Sequence, residues 1–298
     1  MHLRTMKAAV SAVSLAALTL LTAACGKEGA PGGAAGSDLS YPVAKNVTVA
    51  GSTTFDRATK AKKLVVGVKA DQPNLGYKDL TTGTYSGFDV EIARMIAAGL
   101  GFDPKTQLEF RTVPSANREA ELSKGSLDYY VGTYSITEKR KKLVSFAGPY
   151  LITGQGLLVS KDSPITGPND VKGKRVCSVT GSTPLENIRK YAPAEASGLD
   201  SYSLCFNQLL QNQTDALTTD ESILKGYAAQ DPTKVKLVGE KFTTEKYGVG
   251  LGLQDKALRD KINDLLEAAA KDNTWQKIYD ATLGKSGSKD TAPALERY

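Results

Sequence analysis

Leu64-Val65-Val66-Gly67-Val68 opens a long series in which short apolar runs alternate with amphipathic stretches. A continuous apolar run predicts a strand buried on both faces. Residues 87–100 predict a helix: Phe88, Ile92, Met95 and Ile96 share one face, Asp89 and Glu91 suit its positive N-terminal end, and Gly99 and Gly101 stop it. A second strand is predicted at 108–113, a short helix at 118–124 ended by Gly125, and a third strand at 127–131. This alternation predicts a parallel sheet with helices on its faces.

The series then repeats. Strands are expected at 155–160, 175–179, 202–206, 216–218, 235–238 and 247–251, with helices at 184–191, 207–211, 221–229, 255–272 and 274–283. The last fifteen residues are polar and predict a frayed end. So many strands exceed one small sheet, so the expectation is two α/β lobes with a cleft between them.

The N-terminal residues address the compartment. Arg4 and Lys7 precede an apolar stretch, the pattern of a secretory signal at 1–24. Leu21-Thr22-Ala23-Ala24-Cys25-Gly26 resembles the bacterial lipobox, which implies that Cys25 carries lipid. Gly, Ala, Ser and Pro dominate residues 26–40, and a flexible tether is expected over 25–59. No later apolar run is long enough to span a bilayer. The chain is therefore expected outside the cell, held to the outer face of the membrane by its lipid. Its formal charge of +6 falls to +4 without Arg4 and Lys7. Cations and acids alternate throughout, which leaves no nucleic-acid footprint.

Cys177 and Cys205 remain once Cys25 is lipidated. In an oxidising compartment two cysteines usually pair; the rival reading is two buried thiols. Their spacing excludes a CxxC metal or redox site. The one histidine, His2, falls within the signal, so no Cys–His pair is available for catalysis.

Several segments, in order, carry a resemblance. They are Gly87-Phe88-Asp89-Val90-Glu91-Ile92, Gly125-Ser126-Leu127-Asp128, Gly132-Thr133-Tyr134-Ser135-Ile136-Thr137-Glu138-Lys139-Arg140 and Phe146-Ala147-Gly148-Pro149-Tyr150. The later half adds Gly181-Ser182-Thr183 and Asp215-Ala216-Leu217-Thr218-Thr219-Asp220. Together, over about 60–283, they resemble the polar-amino-acid-binding proteins of ABC importers. Asp215 to Asp220 with Cys177 and Cys205 looks most like the glutamate-binding branch. The resemblance implies a two-lobed, type II periplasmic-binding-protein-like α/β fold with its ligand in the interlobe cleft. Lobe 1 would be 60–153 plus 248–284, lobe 2 would be 154–247, and 285–298 a tail. The hinge would lie near Thr153-Gly154 and Lys246-Tyr247. Such a protein is a monomer without a cofactor or metal that captures a free amino acid, glutamate favoured, and delivers it to membrane permease subunits.

A zwitterion needs an anion site and a cation site close together. By family position Arg140 would grip the α-carboxylate with its guanidinium fork; alone, it reads as a solvated member of Lys139-Arg140-Lys141-Lys142. Ser135 and the Thr133 carbonyl would support the ligand. Asp220 would hold the ammonium, against the bland alternative of capping the helix at Glu221. Ser182 and Thr183 follow a strand and open a helix, which makes either an anion site or a plain cap. Arg118 would hold a side-chain carboxylate, or else lie on the surface. Lys69 and Gln72 lie just past the first strand, where open α/β sheets bind ligands. Tyr77 and Tyr134 could wall the cleft or pack in the core. Two other readings compete: a prephenate- or arogenate-type dehydratase on the same fold, which would need a general acid, and the sensory domain of a membrane signalling chain.

Overall fold

A computed structural model describes residues 39–192 and 195–298. The signal at 1–24, Cys25 and the first part of the expected tether lie outside the described residues. In chain order the first lobe contains α1 (Thr53–Ala61), β1 (Leu64–Val68), β2 (Asp71–Gln72), β3 (Gly76–Lys78), β4 (Tyr85–Ser86), α2 (Phe88–Gly99), β5 (Leu108–Thr112), α3 (Arg118–Ser123), β6 (Tyr129–Tyr130), α4 (Glu138–Lys141) and β7 (Val144–Thr153). The second lobe contains β8 (Gln155–Ser160), β9 (Val176–Val179), α5 (Thr183–Ile188), β10 (Ala196–Leu199), α6 (Tyr202–Leu210), β11 (Ala216–Asp220), α7 (Glu221–Gln230) and β12 (Val235–Val238). The chain returns through β13 (Glu245–Gly252) and ends in α8 (Lys256–Lys271) and α9 (Thr274–Ala281).

Each lobe has a five-stranded sheet, in the orders β5-β1-β6-β13-β7 and β10-β9-β11-β8-β12. The alternating pattern predicts a parallel sheet, but neither sheet is purely parallel. Three strands of each run parallel, and β13, β8 and β12 add antiparallel pairings. The reason is connectivity. β7 continues into β8 with Gly154 between them, so the chain changes sheets without a helical crossover. β13 pairs back along β7, with Glu245 opposite Thr153 and Tyr247 opposite Leu151. This antiparallel ribbon joins the lobes.

Aromatic packing ties the C-terminal helices to lobe 1. The Phe88 ring lies edge-on to Trp275 at 5.6 Å and Tyr279 at 5.9 Å. Trp275 also donates its indole N–H to the Tyr150 carbonyl at 2.8 Å. Burying each such ring is worth about 1.5–3 kcal/mol, so β7, α2 and α9 form one unit.

Three further expectations are corrected. The tether does not extend to residue 59: α1 is capped by Ser52, and Phe55 packs edge-on against Phe102 at 6.2 Å. Tyr41 adds a hydrogen bond to Glu91 at 2.8 Å. The last residues are not frayed. Arg297 pairs with Asp264 and Glu267, both at 2.8 Å, and the Tyr298 hydroxyl accepts from the Phe146 N–H at 2.8 Å. Their polar side chains have partners on lobe 1, which composition alone does not reveal. Finally, 202–206 is not a strand but the first half of α6. Its buried residues Tyr202, Cys205, Phe206 and Leu209 follow helical spacing, and the Ser201 hydroxyl caps Leu204. The alternation of Tyr202, Leu204 and Phe206 mimics a strand, but Leu204 is exposed. Cys177 and Cys205 form a disulfide that staples α6 to β9.

Candidate functional site

The carboxyl ends of β1, β6, β9 and β11 meet between the lobes, and the loops that follow them carry the polar residues of the cleft. Arg140 lies on the single turn of α4, whose N-cap Thr137 accepts from the Arg140 N–H at 3.2 Å. Its basic neighbours Lys139 and Lys142 are exposed, whereas Arg140 is 7% exposed. The Arg140 guanidinium donates to the Ser135 carbonyl at 2.8 Å, to Glu119 at 3.2 Å and, across the cleft, to the Gly181 carbonyl at 3.0 Å. Burial and the neighbouring Arg118 charge both lower its pKa.

Arg118 opens α3 and is likewise buried, not on the surface. It donates to the carbonyls of Ser115 at 3.0 Å and Gly181 at 3.1 Å. Both guanidinia lie over the Tyr134 ring, Arg118 at 4.2 Å and Arg140 at 5.0 Å from its centre. Tyr134 is thus the floor beneath two cations rather than a cleft wall, an attraction of about 0.5–2 kcal/mol each. Two arginines of lobe 1 therefore share one backbone oxygen of lobe 2. Gly181 comes this close because it has no side chain: with φ +77°, a Cβ there would sit 2.7 Å from the Ala116 Cα.

Lys69 is fully buried, and its ammonium donates to the Ser115 hydroxyl at 3.2 Å. Loss of water pushes its pKa down to about 8, with Asp71 opposing and Arg118 reinforcing the shift. Gln72 pairs with the Thr133 hydroxyl at 3.1 Å. Thr133 holds a left-handed φ of +46°, uncommon for a β-branched residue. Its N–H is fixed by Asp89 at 3.0 Å, and Asp89 also accepts from the Tyr150 hydroxyl at 2.9 Å. Asp89 and Glu91 stand in the first turn of α2, as expected, and are buried carboxylates with long-range partners. Burial pushes the Asp89 carboxyl up to about 7.

Asp220 ends β11. It makes no capping bond to α7, so the bland alternative is set aside. One oxygen accepts from the Tyr247 hydroxyl at 2.6 Å; Oδ1 has no partner among the described residues. Burial, then the nearby Glu245 charge, pushes its pKa up to about 7, while Tyr247, Arg140 and Arg118 pull the other way. Ser182 caps α5 by accepting from the Leu185 N–H, the plain alternative. Thr183 bridges the lobes, within 3.3 Å of the Ser135 hydroxyl and donating to Glu245 at 2.9 Å. Tyr77 lies in the small β2-β3-β4 sheet, half-buried and apart from the arginine pair.

Most of the predicted residues are thus brought together: Lys69, Gln72, Arg118, Thr133, Tyr134, Ser135, Arg140, Thr183 and Asp220. Sequence reasoning missed Ser115, Glu119 and Tyr247. Ser115 and Glu119 flank Arg118 in sequence and were within reach of a local reading. Tyr247 was not, because its phenol meets Asp220 across 27 positions.

Two lobes closed over a buried, charged cleft define a bilobed solute receptor. The chain belongs to the bacterial extracellular solute-binding proteins, family 3, whose model matches residues 64–285. It is 41% identical over 211 residues to a glutamine-binding protein of Geobacillus stearothermophilus, covering 70% of this chain and 80% of that protein. It is 38% identical over 234 residues to the glutamate-binding protein GluB of Corynebacterium efficiens, covering 74% and 79%. Among solved structures, an ancestral arginine-binding protein bound to glutamine superposes with a TM-score of 0.70 at 35% identity, covering 75% of this chain and 98% of that one. The relatives are binding proteins, not enzymes, which favours capture over dehydration. No helix among the described residues is long and apolar enough to cross a membrane.

Proposed function

We propose that this protein captures an amino acid with an acidic side chain, glutamate first, for an ABC importer. The observation that carries this reading is the presence, in one cleft, of Asp220 Oδ1 without a hydrogen-bond partner among the described residues and of two buried cations, Lys69 and Arg118, whose hydrogen-bond partners there are neutral oxygens. A buried cation is tolerable when an anion balances it. In this reading Arg140 and the Ser135 region take the α-carboxylate, and Asp220 Oδ1 takes the ammonium. Lys69 and Arg118, joined by Ser115, take the side-chain carboxylate. Gln72, Thr133 and Thr183 complete the polar lining, and Ser182 fixes the loop that carries Thr183.

Glutamine is the second reading, favoured by relatives named for it. The two separate on charge: glutamate brings one more negative charge to Lys69 and Arg118. Lipidation at Cys25, a monomeric state and handover to permease subunits belong to the same proposal. A thermal-shift panel of amino acids followed by calorimetry tests it, since a ligand of the native state alone raises Tm. Glutamate is expected to give the largest shift. A panel in which no acidic or amide amino acid binds would reject the assignment.

A further inference from the structure

Away from the arginine pair, a second contact joins the lobes. Asp71 lies on β2 of lobe 1, and its carboxylate accepts from the Tyr202 N–H at 2.8 Å and the Ser203 N–H at 3.3 Å. These are the first two amides of α6, on lobe 2. An acid from one lobe thus sits at the positive end of a helix in the other. The Tyr227 hydroxyl of α7 donates to the Asp71 carbonyl at 2.5 Å and lies 3.4 Å from its carboxylate. The surfaces are in tight contact here: a Cβ on Gly226 would lie 2.6 Å from the Pro73 carbonyl oxygen. Every one of these bonds crosses between lobes, and each would be lost if the lobes swung apart about the β7–β13 ribbon.

We propose that Asp71, with Tyr227, is a latch that stabilises the closed form and sets affinity without touching the ligand. This rests on the receptor reading. A ligand held by the closed form binds more weakly by the factor by which closure becomes less populated. Asp71 also faces Lys69, whose pKa it raises. That neighbour gives the test a sign. By charge alone, removing Asp71 makes the cleft more positive and strengthens binding of an anionic amino acid. The latch requires weaker binding.

The experiment is calorimetry of the full chain with glutamate and with glutamine, for wild type, Asp71→Ala and Tyr227→Phe. The expected result for Asp71→Ala is glutamate affinity about tenfold weaker, the size of a lost charge-assisted hydrogen bond. Tyr227→Phe leaves charge unchanged, so it should weaken both ligands by one common factor, about threefold or more, and serves as the probe if Asp71→Ala does not fold. Glutamate affinity that is unchanged or tighter in Asp71→Ala overturns the latch, as does a Tyr227→Phe variant that shifts the glutamate-to-glutamine ratio. Failure of the wild type to bind either amino acid would instead overturn the receptor reading.

Discussion

Asp220 and Tyr247 meet where β11 and β13 pass between the lobes: the phenol donates to one carboxylate oxygen at 2.6 Å, and the other oxygen is left without a hydrogen bond among the described residues. β11 and β13 bring them together although they are 27 residues apart in sequence. Tyr247 fixes the carboxylate, and in the proposed reading the second oxygen accepts from an ammonium group.

Binding should therefore depend on pH through Asp220. Its folded-state pKa of about 7 lies above its ordinary value of 3.8, so in the unliganded protein its stabilising contribution is complete below about pH 4 and lost as pH rises through 7. An ammonium ligand requires the ionised form, so affinity should rise up to about tenfold per pH unit below 7 and level off above it. Asp220→Asn should weaken binding and abolish that slope. Asp89 titrates in the same range. A slope that persists in Asp220→Asn, followed by calorimetry across pH, would assign it to Asp89 instead.

The two arginines should separate by ligand. Arg140→Ala should weaken glutamate and glutamine alike, by at least about a hundredfold, because it strips a buried cation from the carboxylate both share. Arg118→Met should weaken glutamate more than glutamine. Circular dichroism controls for folding, and equal losses from both substitutions would contradict the division of roles.

Lys69→Met should cost glutamate about tenfold or more and glutamine much less. In the wild type, Lys69 loses its proton above about pH 8. Glutamate affinity should consequently fall beyond that pH while glutamine affinity stays level, read from the same calorimetric series.

The described residues before the first strand belong to the folded body. Phe55→Ala should destabilise the protein by about 3–5 kcal/mol, the usual cost of emptying a buried aromatic site. A denaturant midpoint equal to wild type would restore the tether reading of this segment.

Reducing the disulfide, or replacing Cys177 and Cys205 by Ala, should cost roughly 3–4 kcal/mol by the loop-closure model for this spacing. Chemical denaturation in the presence and absence of reductant measures it.

Much of this was legible in the amino-acid order. β1, α2 and the two C-terminal helices announce themselves because burial imposes a period on their apolar residues. Arg140, Ser135 and Thr183 stand in motifs whose order resembles a family. Local pattern failed where long-range partners decide conformation. The alternation in Tyr202, Leu204 and Phe206 fits a strand, yet the segment is the first half of α6, capped by Ser201 and bonded through Cys205 to β9. β7 is masked by Gly148 and Pro149, yet pairing with β13 makes it a strand. The sequence by itself determined which segments had to be buried and which residue types could meet a zwitterion. Only the tertiary structure decided which polar atoms were satisfied: it put Arg118 and Arg140 on one carbonyl, fixed Thr133 with Asp89 and left Asp220 Oδ1 without a partner among the described residues. Burial follows from residue type and spacing along the chain, whereas hydrogen-bond partners depend on which distant strands end beside one another.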